Sequence, residues 1–353
     1  MARVKLGMAS IGVLAALLLP AITSAQAAPP QATFAYAITT FNRLLLFNVA
    51  TPGTILRDIP ITGMQPGEDM LGIDVRPATG QLYGVGRTNR VYLIDPITAV
   101  ATAVGAPAGP AFGATPEEIG MDVNPVVDRI RVVSLSGLNR RLNPNDGTLT
   151  SADSNLNGVD TSGTGAAYTN NFPGSTGTTL YDLAAGINAL VIQDPPNSGT
   201  LSLVGPLGVD VNSAATFDIV TVAGLNTAYA SLTPPPFTVS NLYTIDLATG
   251  APTLIGAIGG GELIFGLAIA TGDLACTVPN GTAGVIFAAP GGSPTFGTAG
   301  PDVICGTSGV DRISGEGGDD LIVGLGGDDL LSGGDGADTI YGGAGNDKLA
   351  GTA

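Results

Sequence analysis

Six consecutive nine-residue units near the C-terminus each carry one Asp at the sixth position and one large aliphatic residue at the eighth. The units run from Gly297 to Ala350 without a gap and fit the pattern G-x-x-G-x-D-x-U-x, where U is the aliphatic residue. Their aspartates are Asp302, Asp311, Asp320, Asp329, Asp338 and Asp347. A carboxylate is a hard oxygen ligand that suits Ca²⁺, and backbone carbonyls can complete its six to eight oxygens. The spacing therefore predicts calcium binding.

The glycines of each unit allow a six-residue turn to take backbone angles that a side chain forbids, and they expose carbonyl oxygens on its inner side. The glycines whose turns are expected to supply these carbonyls are Gly315, Gly318, Gly324, Gly327, Gly333, Gly336, Gly342 and Gly345. Each aliphatic residue is expected on a short strand, pointing inward. Two units form one coil, so turns two units apart stack and up to four ions are expected between them. A flexible linker would not keep Asp and the aliphatic residue in phase through six units.

This array resembles the hemolysin-type (RTX) calcium-binding repeat over residues 297–350. The resemblance implies a parallel β-roll that orders only when calcium is present. Two departures lie in the first two units, which have Thr298 and Thr307 at the second position and Pro301 and Val310 at the fifth. Less regular turns are expected there, so the pattern gives less support to calcium between the first and third units than to the other expected sites.

The charge of the chain is concentrated in the same array. Residues 297–350 hold nine Asp and one Glu against one Arg and one Lys, which is half of the net charge of −16. Clustered carboxylates repel one another unless a cation neutralises them. Nucleic acid is excluded as a partner on this basis, since phosphate binding relies on Lys and Arg. The absence of His also excludes Ser-His-Asp and Cys-His catalysis and the usual zinc sites.

The N-terminal residues 1–27 have the pattern of a secretory signal peptide. Arg3 and Lys5 precede an apolar run that ends at Pro20, and Ala25-Gln26-Ala27 offers a cleavage site. A membrane anchor is the alternative, but the run is short for a span of about 20 residues. The pattern predicts a secreted protein with no membrane span after removal of the signal.

The two cysteines, Cys276 and Cys305, are expected to form a disulfide in an oxidising compartment. Two free, buried thiols are the alternative. Residues 273–296 are rich in Gly, Pro and Ala and are predicted to be a linker. The β-roll is then assigned to residues 297–353, and a bond between the cysteines would tie the linker region to its first unit.

A second, longer repeat lies between residues 32 and 272. A short apolar strand ends in Asp or Asn, a turn follows, and another strand leads to Gly; this pattern recurs five times at intervals of 47 to 52 residues. The turn-opening residues are Asn48, Asp95, Asn143, Asp194 and Asp246. With two further strand candidates per unit, each unit has the length and strand count of a propeller blade.

The first of these units holds only three strand candidates, and the missing one is found in Glu262–Ala270 at the other end of the repeat. Pairing of this segment with the first unit would close a ring and remove exposed sheet edges. The sequence thus predicts an all-β chain with a closed five-bladed β-propeller followed by the β-roll. A β-sandwich is the alternative for residues 32–272.

The propeller segment resembles a bacterial family of secreted, propeller-like domains of unknown function. The resemblance rests on a G-x-D-x-x-P-x-T-G-x-L-Y run from Gly72 to Tyr83 and an L-Y-x-I-D-x-x-T-G run from Leu242 to Gly250. It implies a fold and no activity.

Carboxylates at or just before the predicted innermost strands are compatible with an enzyme. Paired carboxylates can act as general acid and base in a carbohydrate-active hydrolase or lyase. The candidates are Glu68, Asp69, Asp74, Glu117, Glu118, Asp122 and Glu262. Asp74 and Asp122 recur at the same position of two units, which favours a structural role. The sequence therefore predicts a secreted calcium-binding protein with a propeller that binds an unknown extracellular ligand or surface; a structural surface or matrix protein is a further alternative.

Overall fold

Two sequence periods, one of about 48 residues and one of nine, produce two all-β parts. The structure is a computed structural model that describes residues 33–96, 98–107, 118–209, 214–222, 224–271, 285–288, 291–307, 309–343 and 345–351. The first part is a five-bladed propeller, and the second is a parallel β-roll. The fold class predicted from the sequence is confirmed, and the β-sandwich alternative is wrong. The predicted signal peptide lies outside the described residues.

The blades are antiparallel sheets, apart from one short parallel pair at the edge of blade 4, and neighbouring strands are mostly consecutive along the chain. Blade 1 contains β1 (Thr33–Thr39), β2 (Arg43–Asn48) and β3 (Ile55–Pro60). Blade 2 contains β4 (Met70–Val75), β5 (Leu82–Gly86), β6 (Val91–Ile94) and β7 (Ala101–Val104). Blade 3 contains β8 (Ile119–Asn124), β9 (Arg129–Ser134), β10 (Asn139–Leu142) and β11 (Leu149–Ala152). Blade 4 contains β12 (Asn157–Gly158), β13 (Gly165–Tyr168), β14 (Leu180–Ala184), β15 (Ala189–Gln193) and β16 (Thr200–Pro206), with 3₁₀ turns at Ala185–Ile187 and Pro196–Ser198. Blade 5 contains β17 (Thr216–Val222), β18 (Leu225–Leu232), β19 (Asn241–Ile245) and β20 (Pro252–Ala257).

The ring is closed by the strand that the sequence placed there. β21 (Ile264–Thr271) pairs antiparallel with β1, from Thr33 opposite Thr271 to Thr39 opposite Ile264, and becomes the innermost strand of blade 1. Along the ring, each innermost strand contacts the next, and β17 of the last blade contacts β21. Closure gives blade 1 its fourth strand and covers the inner edge of β1, which explains why the first unit begins one strand late.

The turns that define the long repeat connect the two outer strands of each blade. In three of them the side-chain oxygen of the opening residue accepts a backbone N–H two residues on: at Asn48 (2.8 Å), Asn143 (3.0 Å) and Asp246 (2.7 Å). Such Asx turns satisfy the backbone locally. These side chains therefore have a structural role in the turns.

The β-roll consists of two parallel sheets that face each other. The propeller-side sheet contains β22 (Val285–Phe287), β24 (Val303–Thr307), β26 (Leu321–Leu325) and β28 (Thr339–Tyr341). The solvent-side sheet contains β23 (Pro294–Phe296), β25 (Arg312–Ser314), β27 (Leu330–Ser332) and β29 (Lys348–Ala350). Paired residues are 18 apart, so two nine-residue units form one coil, as predicted.

The boundary between linker and roll differs from the sequence prediction. β22 and β23 lie within residues 273–296, yet they pair in parallel with β24 and β25 and continue the same spacing. The residues between β22 and β23 include no Asp, so the nine-residue pattern does not reveal this additional N-terminal coil. The coil covers the apolar end that the first Asp-bearing coil would otherwise expose.

A thin apolar core lies between the two sheets of the roll. Ile304, Ile313, Ile322 and Leu331 are buried there, as the eighth-position pattern predicted. Leu349, the last residue of that series, is exposed, and no described coil lies beyond it. The opposite face of the propeller-side sheet is also apolar: Val303, Cys305, Leu321 and Val323 join the core cluster of blades 1 and 2.

Candidate calcium sites in the roll

Each Asp of the array is the last residue before a strand of the roll, and the strand fixes the direction of its side chain. Asp302, Asp311, Asp320 and Asp329 are buried although they are acidic and lie at the surface turns. Carboxylates are seldom buried without a partner that offsets the loss of water. The contacts of these four side chains therefore decide what the turns can bind.

One oxygen of the carboxylate holds successive coils together. In each stacked pair, Oδ1 of the later Asp accepts the backbone N–H of the Asp 18 residues earlier. The N···O distances are 2.8 Å for Asp302–Asp320 and Asp311–Asp329, 3.1 Å for Asp320–Asp338, and 3.0 Å for Asp329–Asp347. This ladder gives the Asp at the sixth position of each unit a structural role through Oδ1, and it leaves Oδ2 for another role.

The second oxygen lacks a hydrogen-bond partner in the later units. Oδ2 is buried and unpartnered in Asp320, Asp329 and Asp338. A buried polar atom without a partner costs roughly 1–3 kcal/mol, more when it is charged. An oxygen of this kind, in an acidic turn, is suited to a cation.

A carbonyl oxygen of the next coil borders the same space. A methyl group added to Gly315 would lie 2.2 Å from Asp320 Oδ2 and 2.3 Å from the Gly333 carbonyl oxygen. At Gly324 the corresponding distances, to Asp329 Oδ2 and the Gly342 oxygen, are both 2.4 Å. Glycine at the first position is thus required because two oxygens converge where a side chain would begin.

The remaining predicted glycines give the turns their shape. Gly318, Gly327, Gly336 and Gly345 have φ values of 107°, 111°, 134° and 142°, which side chains disfavour. The carbonyl of Gly318 lies 2.2 Å from where a Cβ on Gly336 would be. Close stacking of these two turns therefore depends on glycine at the fourth position of the later one, Gly336.

Electrostatics in these turns also favour a cation. Burial, together with the neighbouring carboxylates Asp302, Asp319 and Asp338, raises the pKa of Asp320. Burial raises the pKa of Asp329 to about 6, with Asp311, Asp347 and Asp328 adding to the effect. A divalent cation between the turns would stabilise the ionised carboxylates. The hard oxygen donors, their negative charge and the unpartnered Oδ2 atoms all fit Ca²⁺.

No group of three or more Cys, Asp or Glu side chains converges on one point among the described residues. The arrangement differs from a carboxylate cage because each stacked pair of turns brings two carboxylates and several carbonyls. Asp302 and Asp311 are placed like the others, but Thr298 and Thr307 donate hydrogen bonds to their Oδ2 atoms. The sequence marks these threonines as departures from the pattern but does not reveal this contact.

Cys305 is buried in β24, on the face that packs against the propeller. Its predicted partner, Cys276, lies outside the described residues, so the disulfide stays a prediction.

The buried aspartates of the propeller link neighbouring blades. Asp74 Oδ2 accepts the N–H of Val123 at 2.7 Å, and Asp122 Oδ2 accepts that of Tyr168 at 2.9 Å. A third, Asp218, was not among the sequence candidates; it accepts the N–H of Ile269 at 2.5 Å. Each carboxylate thus binds the backbone of the innermost strand of the next blade. Burial raises the pKa of all three.

Of the other candidate carboxylates, two form structural contacts and two are half-buried. Glu68 is buried and accepts the Thr88 N–H (2.7 Å) and hydroxyl (2.6 Å), and Asp69 forms an ion pair with Arg87. Glu118 and Glu262 are half-buried, and Glu117 lies outside the described residues. One cavity lined by innermost-strand residues, among them Gly72, Gly120 and Gly165, has a volume of about 10 Å³, enough for one water molecule at most.

A closed five-bladed propeller followed by a parallel roll with Asp in its turns defines the class of the protein. Residues 43–268 match the family described as "domain of unknown function (DUF4394)", and the chain belongs to that family. Residues 296–331 and 323–353 match the RTX calcium-binding nonapeptide repeat. A comparison with curated proteins gives no match. Within the described part of the chain, no helix has the length and apolar character of a membrane span.

Solved structures that match part of this chain share little sequence with it. BBS1N, solved in complex with ARL6DN, is 13% identical, with a TM-score of 0.30; the match covers 64% of this chain and 66% of that one. The Dos1 propeller is 15% identical with a TM-score of 0.34, covering 63% and 57%. A candidate exo-beta-1,3-galactanase from Bifidobacterium bifidum s17 is 10% identical with a TM-score of 0.38, covering 63% and 87%. The chain thus spans less than two thirds of the first two structures.

Proposed function

We propose that this is an exported calcium-binding protein whose roll holds Ca²⁺ between stacked turns and whose propeller contacts an extracellular ligand. The observation that carries the calcium assignment is the unpartnered Oδ2 of Asp320 and Asp329, each beside a carbonyl of the next coil. Bound calcium would replace the missing partners and neutralise the array. Affinity in the range of extracellular modules, about 10⁻⁴ to 10⁻³ M per site, is expected.

The test is a calorimetric titration of the full-length chain with CaCl₂, with MgCl₂ as a second titrant. The double variant Asp320→Asn/Asp329→Asn is expected to lose calcium binding, because a neutral amide supplies one oxygen and no charge. The matched control is Asp319→Asn/Asp328→Asn, which removes the same charge from the adjacent, exposed positions of the same turns. Their Oδ1 atoms accept the N–H groups of Ala337 and Asn346, which an Asn oxygen can also do.

Binding that survives in the first variant, or that is lost equally in the control, would contradict the assignment to Oδ2. A wild-type chain without any calcium heat would contradict the function itself. Mg²⁺ is expected to bind more weakly, because it demands near-ideal octahedral geometry and gives up its water reluctantly.

Export is supported by the signal-like residues 1–27 and by the acidic array, whose affinity suits millimolar calcium outside the cell. Expression in a bacterial host is expected to give a product in the periplasm or medium that starts at Ala28. The measurement is the intact mass of that product. An uncleaved chain that stays in the cytoplasm would contradict export by this signal.

A pocket among the described residues of the propeller suits a small polar ligand. A space of about 140 Å³ lies between blades 1 and 2, bordered by Asn42, Asp69 and Arg87 on one side and Met70, Leu71 and Phe265 on the other. The ion pair of Asp69 with Arg87 and the hydrogen bond from Asn42 Nδ2 to Asp69 (3.2 Å) hold the polar side in place. This pocket supports an interaction role for the propeller.

A further inference from the structure

The turns of the roll fall into two classes that differ in how the second carboxylate oxygen is satisfied. In the first unit the Thr298 N–H and hydroxyl donate to Asp302 Oδ2 at 2.5 and 2.9 Å. In the second unit the Thr307 N–H and hydroxyl donate to Asp311 Oδ2 at 2.6 and 3.1 Å. The same oxygen has no partner in Asp320, Asp329 and Asp338. The threonines therefore occupy the oxygen that the later turns leave open.

The backbone differs in the same way. The second residue of each later unit has a left-handed conformation, with φ of 72° at Glu316 and Leu325, 98° at Gly334 and 95° at Gly343. Thr298 and Thr307 are not among the described residues with positive φ. A β-branched side chain strongly disfavours that region. Threonine thus keeps the first two turns in a conformation that points its N–H at the carboxylate.

The threonine hydroxyl also lies beside a carbonyl of its own turn. Thr298 Oγ1 is 3.3 Å from the Gly300 oxygen, and Thr307 Oγ1 is 3.3 Å from the Gly309 oxygen. It accepts the N–H of the same glycine, at 3.2 and 3.1 Å respectively. The neutral threonine hydroxyl therefore lies close to a carboxylate oxygen and to a carbonyl oxygen, which are the two kinds of oxygen that would bind a cation. The hydroxyl takes the place that an ion would fill in the later turns.

We propose that the first two Asp-bearing units do not take calcium and that the roll binds two ions rather than four. One ion lies between the third and fifth units and uses Asp320 and Asp338. The other lies between the fourth and sixth units and uses Asp329 and Asp347. Thr298 and Thr307 are the residues that set this number, and the inference rests on the proposed function.

The consequence is a roll with a calcium-independent base. The first two units stack on β22 and β23 and pack against the propeller through Val303 and Cys305, so they have a template without an ion. Calcium then orders the later units onto this base. The roll is therefore expected to extend coil by coil from its N-terminal end, along the propeller, when calcium is added.

The experiment counts calcium ions per full-length chain by equilibrium dialysis against CaCl₂ with atomic emission readout. Wild type is expected to bind two. Thr298→Gly/Thr307→Gly, which removes the hydroxyls and permits left-handed turns, is expected to bind four. The matched control Thr298→Ser/Thr307→Ser keeps the hydroxyls and is expected to bind two.

If the glycine variant fails to fold, the variant Asp302→Asn/Asp311→Asn tests the inference instead. This variant is expected to bind two ions with unchanged affinity. A wild-type count of three or four overturns the inference and leaves the proposed function standing, as does a lower count in Asp302→Asn/Asp311→Asn. A wild-type count of zero overturns both.

Discussion

Buried carboxylates in this protein differ in whether the backbone gives them hydrogen bonds. Asp74 accepts two backbone N–H groups, from Val75 (2.6 Å) and Val123 (2.7 Å). Asp182 on β14 is as deeply buried, yet neither of its oxygens has a hydrogen-bond partner among the described residues. Burial raises the pKa of Asp182 to about 8, and the charge of Arg131 opposes this only in part. This residue is thus favoured in its protonated form in the folded chain.

Replacing Asp182 by Asn is expected to change the pH dependence of stability. The pKa of Asp182 is higher in the folded chain than in the unfolded chain. The stability of the protonated form is therefore fully present below about pH 4 and is lost as the pH rises through about 8. Asp182→Asn should therefore gain stability relative to wild type as the pH rises from 4 to 8, in total on the order of 5 kcal/mol, because the pKa is raised from 3.8 to about 8 and each pKa unit corresponds to about 1.4 kcal/mol. Urea denaturation at several pH values measures this difference.

The control for this prediction is Asp58→Asn, which changes an exposed carboxylate of blade 1. Its stability relative to wild type is expected to stay nearly constant over the same range. If Asp182→Asn also showed a constant difference, the carboxyl would be ionised in the folded chain and the prediction would be wrong.

At the scale of single elements, the turns of the roll show why glycine is needed at some positions and not at others. A Cβ on Gly324 would lie 2.4 Å from both Asp329 Oδ2 and the Gly342 carbonyl oxygen. A Cβ on Gly309 would meet only Thr307 Oγ1, at an ordinary 3.8 Å. Both residues belong to the nine-residue pattern, so sequence alone gives them equal weight.

Gly324→Ala is expected to abolish one calcium site and to destabilise the later coils, because the methyl group occupies the space between the two oxygens. Gly309→Ala should leave calcium binding and stability within about 0.5 kcal/mol of wild type, as is usual for unstrained surface changes. Calcium titration with circular dichroism compares the two. Equal losses in both variants would show that the whole turn, and not the oxygen pair, requires glycine.

The elements themselves were largely predictable from the sequence. The Asx turns at Asn48, Asn143 and Asp246 marked the blades, and Glu262–Ala270 was identified as the closing strand. The N-terminal coil was missed because β22 and β23 have no Asp turn, and pairing to an existing coil is what orders them. Asp218 was missed because Thr216 replaces the glycine that aligns Asp74 and Asp122. Hydrogen bonds between distant segments carry no local sequence signal.

At the scale of the whole molecule, the roll is joined to the propeller by one of its two sheets. The seventh and ninth residues of the odd units are mostly apolar (Val-Cys, Leu-Val and Thr-Tyr), whereas those of the even units are mostly polar or small. Tyr341 packs edge to face on Phe34, with ring centroids 4.7 Å apart, and its hydroxyl accepts a 3.3 Å hydrogen bond from Asn48. This alternation of apolar and polar units along the sequence determines which of the two sheets packs against the propeller.

The docking predicts that calcium bound to the roll stabilises the propeller as well. Leu321 and Leu330 test this, since both occupy the seventh position of their units and point away from the core of the roll. Leu321 is 7% exposed against the propeller cluster, and Leu330 is 48% exposed on the solvent-side sheet. Leu321→Ser should cost about 2–3 kcal/mol from lost apolar burial, and Leu330→Ser much less.

Calorimetry in saturating calcium measures the coupling. Wild type and Leu330→Ser are expected to unfold in one transition that calcium moves to higher temperature. Leu321→Ser is expected to show two transitions, with calcium shifting only that of the roll, because ligand binding stabilises only the unit whose folding it is linked to. A single calcium-dependent transition in Leu321→Ser would mean that the covalent connection, and not the apolar face, couples the two parts.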